Sequence, residues 1–440
     1  MLPFVRIFAI ELSQTEEVYY PGQAIQGTVI LVLKKDIQIY RIKVRLFGRA
    51  KSRIQHYDRR QDKWKTYTEE EVFVDDAKSV FGQESAKKEE SGNTLEKGRH
   101  DFQFHFNLPN AKLPSSYEGS KGNNIRYFIE AWIEMKEENS NPIVTKTFTV
   151  LEYIDCNLVD RRTPYAVMEA EKYFCCFLCR HGPLRILASL DRKAYCPGEN
   201  IHLREIQIEN NSNVAVDAVK MKLVQSVLYK ARGRRSKGEK IYANKKTTLP
   251  LSKDTATLKN ETLTIPALPP TITSRPISIS YFVKVYLDIP RAFDLHLTFP
   301  IEIATIPIQR TRSIVHSLLL DPNAINNALL SSSLALKESE MEENDADENV
   351  ITTQPKPVLG PIAKFKTNDS IASALSSHPL IAVTPCGATL NYQPCVDRNL
   401  FIKDNLQDNL QSEDTTSIIS MDDRFIPQYT YVKPIKLDND

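Results

Sequence analysis

The stretch Tyr19-Tyr-Pro-Gly-Gln-Ala-Ile25 returns as Tyr195-Cys-Pro-Gly-Glu-Asn-Ile201, 176 positions further on. A shared Tyr-x-Pro-Gly-(Gln/Glu)-x-Ile constrains the fold only if its surroundings repeat too, and they do. Ile37-Gln-Ile-Tyr-Arg-Ile-Lys-Val-Arg-Leu aligns with Val214-Ala-Val-Asp-Ala-Val-Lys-Met-Lys-Leu at an offset of 177, apolar on apolar and cation on cation. Tyr127-Phe-Ile-Glu-Ala-Trp-Ile133 resembles Tyr281-Phe-Val-Lys-Val-Tyr-Leu287 at an offset of 154, so the first copy carries about 23 extra residues before that strand. The polar stretch Asp75–Arg99 is the expected place for them, as a long mobile loop. The chain is therefore one domain met twice. In each copy Pro21 or Pro197 presets φ at the second position of a turn, and Gly22 or Gly198 accepts positive φ at the third, as a type II turn requires.

What repeats is a β-domain. Phe102, Phe104 and Phe106 alternate with polar residues, as do Ile42, Val44 and Leu46, and the run Ile277, Ile279, Tyr281, Val283, Val285, Leu287. Period two puts one face on a core and the other in water. Prolines 109, 114, 142, 183, 197, 266, 269, 270, 276 and 290 punctuate the runs, which points to antiparallel sandwiches rather than α/β units. The expected organisation is all-β: one sandwich over 1–155, a linker over 156–182, a second sandwich over 183–310 and a disordered acidic tail over 311–440.

Composition narrows the function classes. The formal net charge of +2 divides into −8 from residue 311 onward and +10 before it, so a basic body carries an acidic tail and suits anionic partners. No run of 18 apolar residues suggests a membrane span, and the opening MLPFVRIFAIEL, with Arg6 and Glu11 inside it, reads as a first strand and not a signal peptide. Seven cysteines without a secretory signal suit a reduced cytosolic protein. Fourteen glycines supply no phosphate-cradling loop, and no nucleophile turn or zinc-protease pair occurs. The scattered histidines form no acid–base pair the sequence can place, and His105 belongs on the outer face of its strand. The expectation is a non-enzymatic protein without cofactor or metal.

The segments Leu113–Ile133, Asp191–Glu199 and Tyr286–Pro307, together with the linker cysteines, resemble the α-arrestins, or arrestin-domain-containing proteins. The resemblance covers about residues 1–310 and implies two tandem immunoglobulin-like sandwiches in an adaptor for membrane-protein trafficking. It implies cytoplasmic residence with recruitment to plasma membrane and endosomes, membrane receptors or transporters as cargo, and HECT-type ubiquitin ligases recruited through tail PPxY motifs that dock on WW domains. No PPxY is present: the one Pro-Pro pair, Pro269-Pro270, precedes Thr-Ile, and the nearest tail segment is Phe425-Ile-Pro-Gln-Tyr-Thr-Tyr431. Pro427 and Tyr429 keep half of the motif, with Ile426 replacing the stiff first proline. The alternative is a retromer-like coat or scaffold component of endosomal sorting that recruits no ligase.

Four constellations remain. Cys175, Cys176 and Cys179, with His181, read as half a zinc site, as S-acylation sites beside Phe174 and Phe177, or as a packed linker; Cys156 and Cys196 stand alone. The run Lys230–Lys237 reads as a hairpin loop whose Arg232, Arg234, Arg235 and Lys237 hold phosphate or acidic peptide; no stacking aromatics interleave, so nucleic acid is not expected. Ile418, Ile419, Met421 and Asp422 resemble a clathrin box with Ile for Leu. Visual and β-arrestins hold a buried phosphate-sensing charge cluster, and Asp288 and Asp294 lie in the corresponding region.

Overall fold

The computed structural model describes residues 4–82, 93–135, 141–176, 179–180, 182–308, 390–394 and 425–433. The first sandwich uses β1 (Val5–Leu12), β2 (Val18–Tyr19), β3 (Ala24–Leu33), β4 (Ile37–Asp58), β5 (Lys63–Phe81), β6 (Asn93–Leu95), β7 (Gly98–Asn107), β8 (Tyr117–Glu118), β9 (Asn124–Met135) and β10 (Ile143–Val150). A three-stranded sheet β1-β3-β7 faces a larger sheet ordered β2-β10-β9-β4-β5, with β6 on β4 and β8 on β9. A short helix, α1 (Val159–Arg162), leads to the second sandwich. That one uses β11 (Met168–Lys172), β12 (Cys175–Cys176), β13 (Cys179–Arg180), β14 (Leu184–Leu190), β15 (Ala194–Tyr195), β16 (Asn200–Asn210), β17 (Val216–Ala231), β18 (Arg234–Leu251), β19 (Thr255–Thr264), β20 (Ile272–Thr273), β21 (Ile277–Asp288) and β22 (Leu295–Ile303). The sheet β11-β14-β16-β19 faces the sheet β15-β22-β21-β17-β18.

The repeat is reproduced bond by bond. Val150 pairs in parallel with Tyr19, and Ile303 pairs in parallel with Tyr195. Gln23 N–H donates to the Tyr20 carbonyl at 3.1 Å and Glu199 N–H to the Cys196 carbonyl at 3.1 Å, closing the same turn twice. Gly22 and Gly198 take φ of +82° and +90°. The Gln/Glu of the motif takes part as well, since the Tyr20 amide donates to Gln23 Oε1 at 2.9 Å and the Cys196 amide to Glu199 Oε2 at 2.7 Å. The side chain thus satisfies an amide the turn would otherwise leave bare. Ile25 and Ile201 follow as fully buried core residues. The buried side chains of both sandwiches join in one contiguous apolar cluster, and a second cluster around Leu31, Ile39 and Ile133 fills one end of the first sandwich.

Three expectations change. Asp75–Phe81 belongs to strand β5 and Asn93–Leu95 to β6, so of the stretch read as a long loop only 83–92 lies outside the described residues. Alternation in that stretch is hidden because β5 lies at its sheet's edge and keeps water on much of both faces. Part of the linker joins the second sandwich: Met168–Lys172 pairs with Leu184–Ala188, while Cys175–Cys176 and Cys179–Arg180 form a separate two-stranded ladder. Within the segment read as a disordered tail, β23 (Leu390–Pro394) and β24 (Gln428–Val432) form an antiparallel pair that packs on the body. The aromatic and β-branched content of Tyr429–Val432 supplies the apolar area that the segment's average composition conceals.

Candidate functional site

The two domains meet along a junction made from residues far apart in sequence. Ser52 Oγ donates to the Lys230 carbonyl, the Tyr117 and Tyr229 hydroxyls lie 3.0 Å apart, and Gly119 leaves the space Tyr229 fills. On the other side of the junction, Ile154 N–H donates to Thr305 Oγ1 at 3.0 Å, Thr305 Oγ1–H to the Glu152 carbonyl at 2.7 Å, and Cys156 N–H to the Ile306 carbonyl at 3.0 Å. These are buried bonds, where losing one partner costs about 1–3 kcal/mol each. An exposed clasp adds charge: Arg275 pairs with Glu69 at 3.3 Å and donates to the Glu70 carbonyl at 2.9 Å, while the Arg275 and Arg232 amides donate to Glu71 and Glu69. The acidic run Glu69-Glu70-Glu71 and the basic run near 232 are each visible in the sequence; nothing in it sets one against the other.

The tail seats across this junction. Gln428 N–H donates to Thr149 Oγ1 of the first domain at 3.2 Å, and Val432 N–H to the Pro197 carbonyl of the second at 2.9 Å. Tyr429 is 2% exposed, packs with Val18, Tyr20, Leu151 and Tyr392, and donates its hydroxyl to the Ser116 carbonyl at 3.2 Å. Tyr20 shares a hydrogen bond with Tyr392, and burial pushes its phenol well above the ordinary range. A Cβ on Gly198 would lie 2.0 Å from the Val432 carbonyl oxygen, so the second turn's glycine also makes room for the tail. Both copies of the repeated turn thus touch it: the first through Tyr20, the second through Pro197 and Gly198.

Pro427 is buried beside Tyr429, so both residues of the degenerate WW element sit against the body. Arg232 and Gly233, with φ of +46° and +77°, form a two-residue turn, shorter than the loop expected. Arg234, Arg235 and Lys237 stand on β18, where successive side chains point to opposite faces. Arg234 lies over the Tyr67 ring at 5.5 Å and Lys237 pairs with Glu239 at 2.8 Å, so the four cations do not converge on one point. Cys175–Cys176 pairs with Cys179–Arg180 in a short antiparallel ladder. Ile418, Ile419, Met421 and Asp422 lie outside the described residues. Asp288 pairs with Lys220 at 2.8 Å and Lys246 at 3.4 Å, whose charges hold its carboxyl below the usual range, and Asp294 Oδ1 accepts the Ile289 amide. His105 is exposed between buried Phe104 and Phe106, as alternation requires.

One grouping escaped sequence reasoning. Cys156 and Cys196, apart in sequence, are both fully buried, and their sulfurs lie with a Glu199 carboxylate oxygen within 4.8 Å of one another. The donors are those of a soft divalent cation. Glu199 is already engaged by Arg192 at 3.2 Å and by the Cys196 amide, and burial pushes the Cys196 thiol well up, which keeps its proton on.

The comparisons agree with this architecture. The model of "Arrestin (or S-antigen), N-terminal domain" matches residues 8–157, and that of "Arrestin (or S-antigen), C-terminal domain" matches 180–308. Together they take in more than half of the chain, which belongs to the arrestin-domain family, among the α-arrestins. It is 32% identical over 214 residues to arrestin domain-containing protein 4 of Homo sapiens, a match spanning 48% of this chain and 50% of that protein. The Mus musculus protein of that name is 27% identical over 307 residues, 67% of this chain and 70% of the relative. Arrestin domain-containing protein 17 of Caenorhabditis elegans is 28% identical over 345 residues, 74% of this chain and 76% of the relative.

Proposed function

We propose that the protein is a non-enzymatic adaptor that binds membrane receptors or transporters from the cytoplasm and directs their endocytosis and sorting at plasma membrane and endosomes. Membership of the arrestin-domain family supports this reading. The observation that carries it is the tail segment held across both domains, with Pro427 and Tyr429 buried. A WW groove needs the proline and tyrosine rings of an extended peptide. Recruitment of a HECT-type ligase through this element therefore requires the tail to leave the body. The clathrin-like Ile418–Asp422 stretch and acylation of Cys175, Cys176 and Cys179 belong to the same proposal, as a coat contact and a membrane tether.

Two experiments test its parts. Deleting the protein in its native cell is expected to change the surface level of a co-purifying receptor or transporter; unchanged surface and endosomal cargo overturns the trafficking role. For the ligase, a WW-domain array is probed with the full chain, with Leu151→Ala and with Tyr429→Ala. Leu151→Ala loosens the seat while leaving the tail sequence intact, and is expected to raise WW binding; Tyr429→Ala is expected to abolish it. No WW binding by the Leu151→Ala chain overturns ligase recruitment through this segment.

A further inference from the structure

Strand β4 pairs with its inner neighbour β9 only as far as Lys51, whereas its pairing with β5 runs on to Asp58 and Lys63. The seven residues Ser52–Asp58 and their partners thus leave the sheet as a two-stranded ribbon, about 23 Å long at roughly 3.3 Å per residue. The base of this ribbon rests on the second domain through Ser52 and Tyr67, and its end stands free: from Gln55 to Trp64 every residue except half-buried Asp58 is exposed. Trp64 is 69% exposed and packs against Tyr57, itself exposed, with ring centroids 5.3 Å apart and planes tilted by 56°. An indole and a phenol ring turned to water at the tip of a ribbon contribute nothing to the core.

The charges around them are unbalanced. Asp58 is taken by Lys65 at 2.8 Å, and Asp62 accepts the Tyr57 hydroxyl. Arg59, Arg60 and Lys63 are exposed and take no ion pair among the described residues. Arg234, at the tip of the β17–β18 hairpin, stands beside the ribbon, over Tyr67 at 5.5 Å. The surface is a convex end bearing amphipathic rings amid uncompensated cations.

We infer that this ribbon tip is a docking surface for an anionic phospholipid bilayer. Tyrosine and tryptophan partition to the boundary between headgroups and acyl chains, and Lys and Arg alongside them meet lipid phosphate and serine carboxylate. A flat lipid surface suits a convex tip, whereas a bound phosphopeptide needs a concave seat in which cations converge. This goes beyond the adaptor reading, since the purified chain can bind vesicles whether or not it moves cargo.

The test uses the full chain and vesicles of phosphatidylcholine with or without phosphatidylserine. The chain has two tryptophans, so Trp132→Phe leaves Trp64 as the only indole. Anionic vesicles are expected to sediment the protein, shift Trp64 emission to the blue and shield it from acrylamide, while neutral vesicles and high salt reverse all three. The triple variant Arg59→Ala/Arg60→Ala/Lys63→Ala, confirmed folded by its unchanged melting, is expected to lose about a hundredfold in partition constant, at roughly fivefold per cation. No sedimentation with anionic vesicles overturns the inference. Sedimentation that leaves Trp64 open to quencher, or that the triple variant retains, places the contact on another surface and overturns it too. A blue shift with a multiply phosphorylated peptide but not with vesicles assigns the tip to a protein ligand instead.

Discussion

Tyr19 and Tyr195 hold the same place in the two copies and differ in one atom's surroundings. Tyr195 donates its hydroxyl to Asp191, whereas the buried Tyr19 hydroxyl has no hydrogen-bond partner among the described residues. Tyr195→Phe is expected to cost about 1 kcal/mol in denaturant unfolding, and Tyr19→Phe to be neutral or stabilising. The two glycines part in the same way. Gly22→Ala and Gly198→Ala both force positive φ on a residue with a Cβ, at about 1 kcal/mol each. Only at Gly198 does the methyl also strike the tail, so only Gly198→Ala is expected to speed amide exchange in 425–433. Glu152 adds a pH dependence of its own. Burial raises its carboxyl above the ordinary range, although Lys112 at 3.1 Å pulls the other way. Between the ordinary and the raised value the folded chain holds a proton that the unfolded chain has lost, so stability falls as pH rises through that window. Glu152→Gln is expected to stabilise at neutral pH and to make no difference at acid pH, read from unfolding midpoints at both.

At the scale of elements, legibility followed periodicity. Ile277–Asp288 alternates in sequence and in burial because it is central in its sheet and wet on one side. The tail strand could not be read that way: five residues are too few for a pattern, and its partner Leu390–Pro394 lies far upstream. Its apolar anchor is testable. Tyr429→Ala removes the ring that fills the space among Val18, Tyr20 and Leu151, and is expected to weaken tail docking by about 3 kcal/mol. Proteolysis within 425–433 would then quicken roughly a hundredfold while the melting of the body stays put. Cleavage at the wild-type rate would mean that the ring does not hold the tail.

For the whole molecule, two similar sandwiches were evident in the repeat, and their manner of joining was not. Ser52 and Lys230, or Tyr117 and Tyr229, carry no motif; their pairing follows from how two finished domains meet. The clasp at Arg275 belongs to this scale. Its side chain is well exposed, so Arg275→Ala is expected to lower stability by less than about 1 kcal/mol at low ionic strength and by nothing measurable at high salt, in contrast to Thr305→Val in the buried side of the junction. A loss that persists in high salt would show that the clasp acts through packing and not through charge.

The tail takes one of its bonds from Thr149 and another from Pro197, so its binding energy depends on the spacing of two domains and not on either alone. Thermodynamic linkage then fixes a reciprocity. Any ligand that prefers a spacing the tail does not fit loosens the tail by some factor, and the seated tail weakens that ligand by the same factor. Truncating the chain before residue 425 should therefore tighten such a ligand, and the gain in its affinity measures the strain that binding places on the junction.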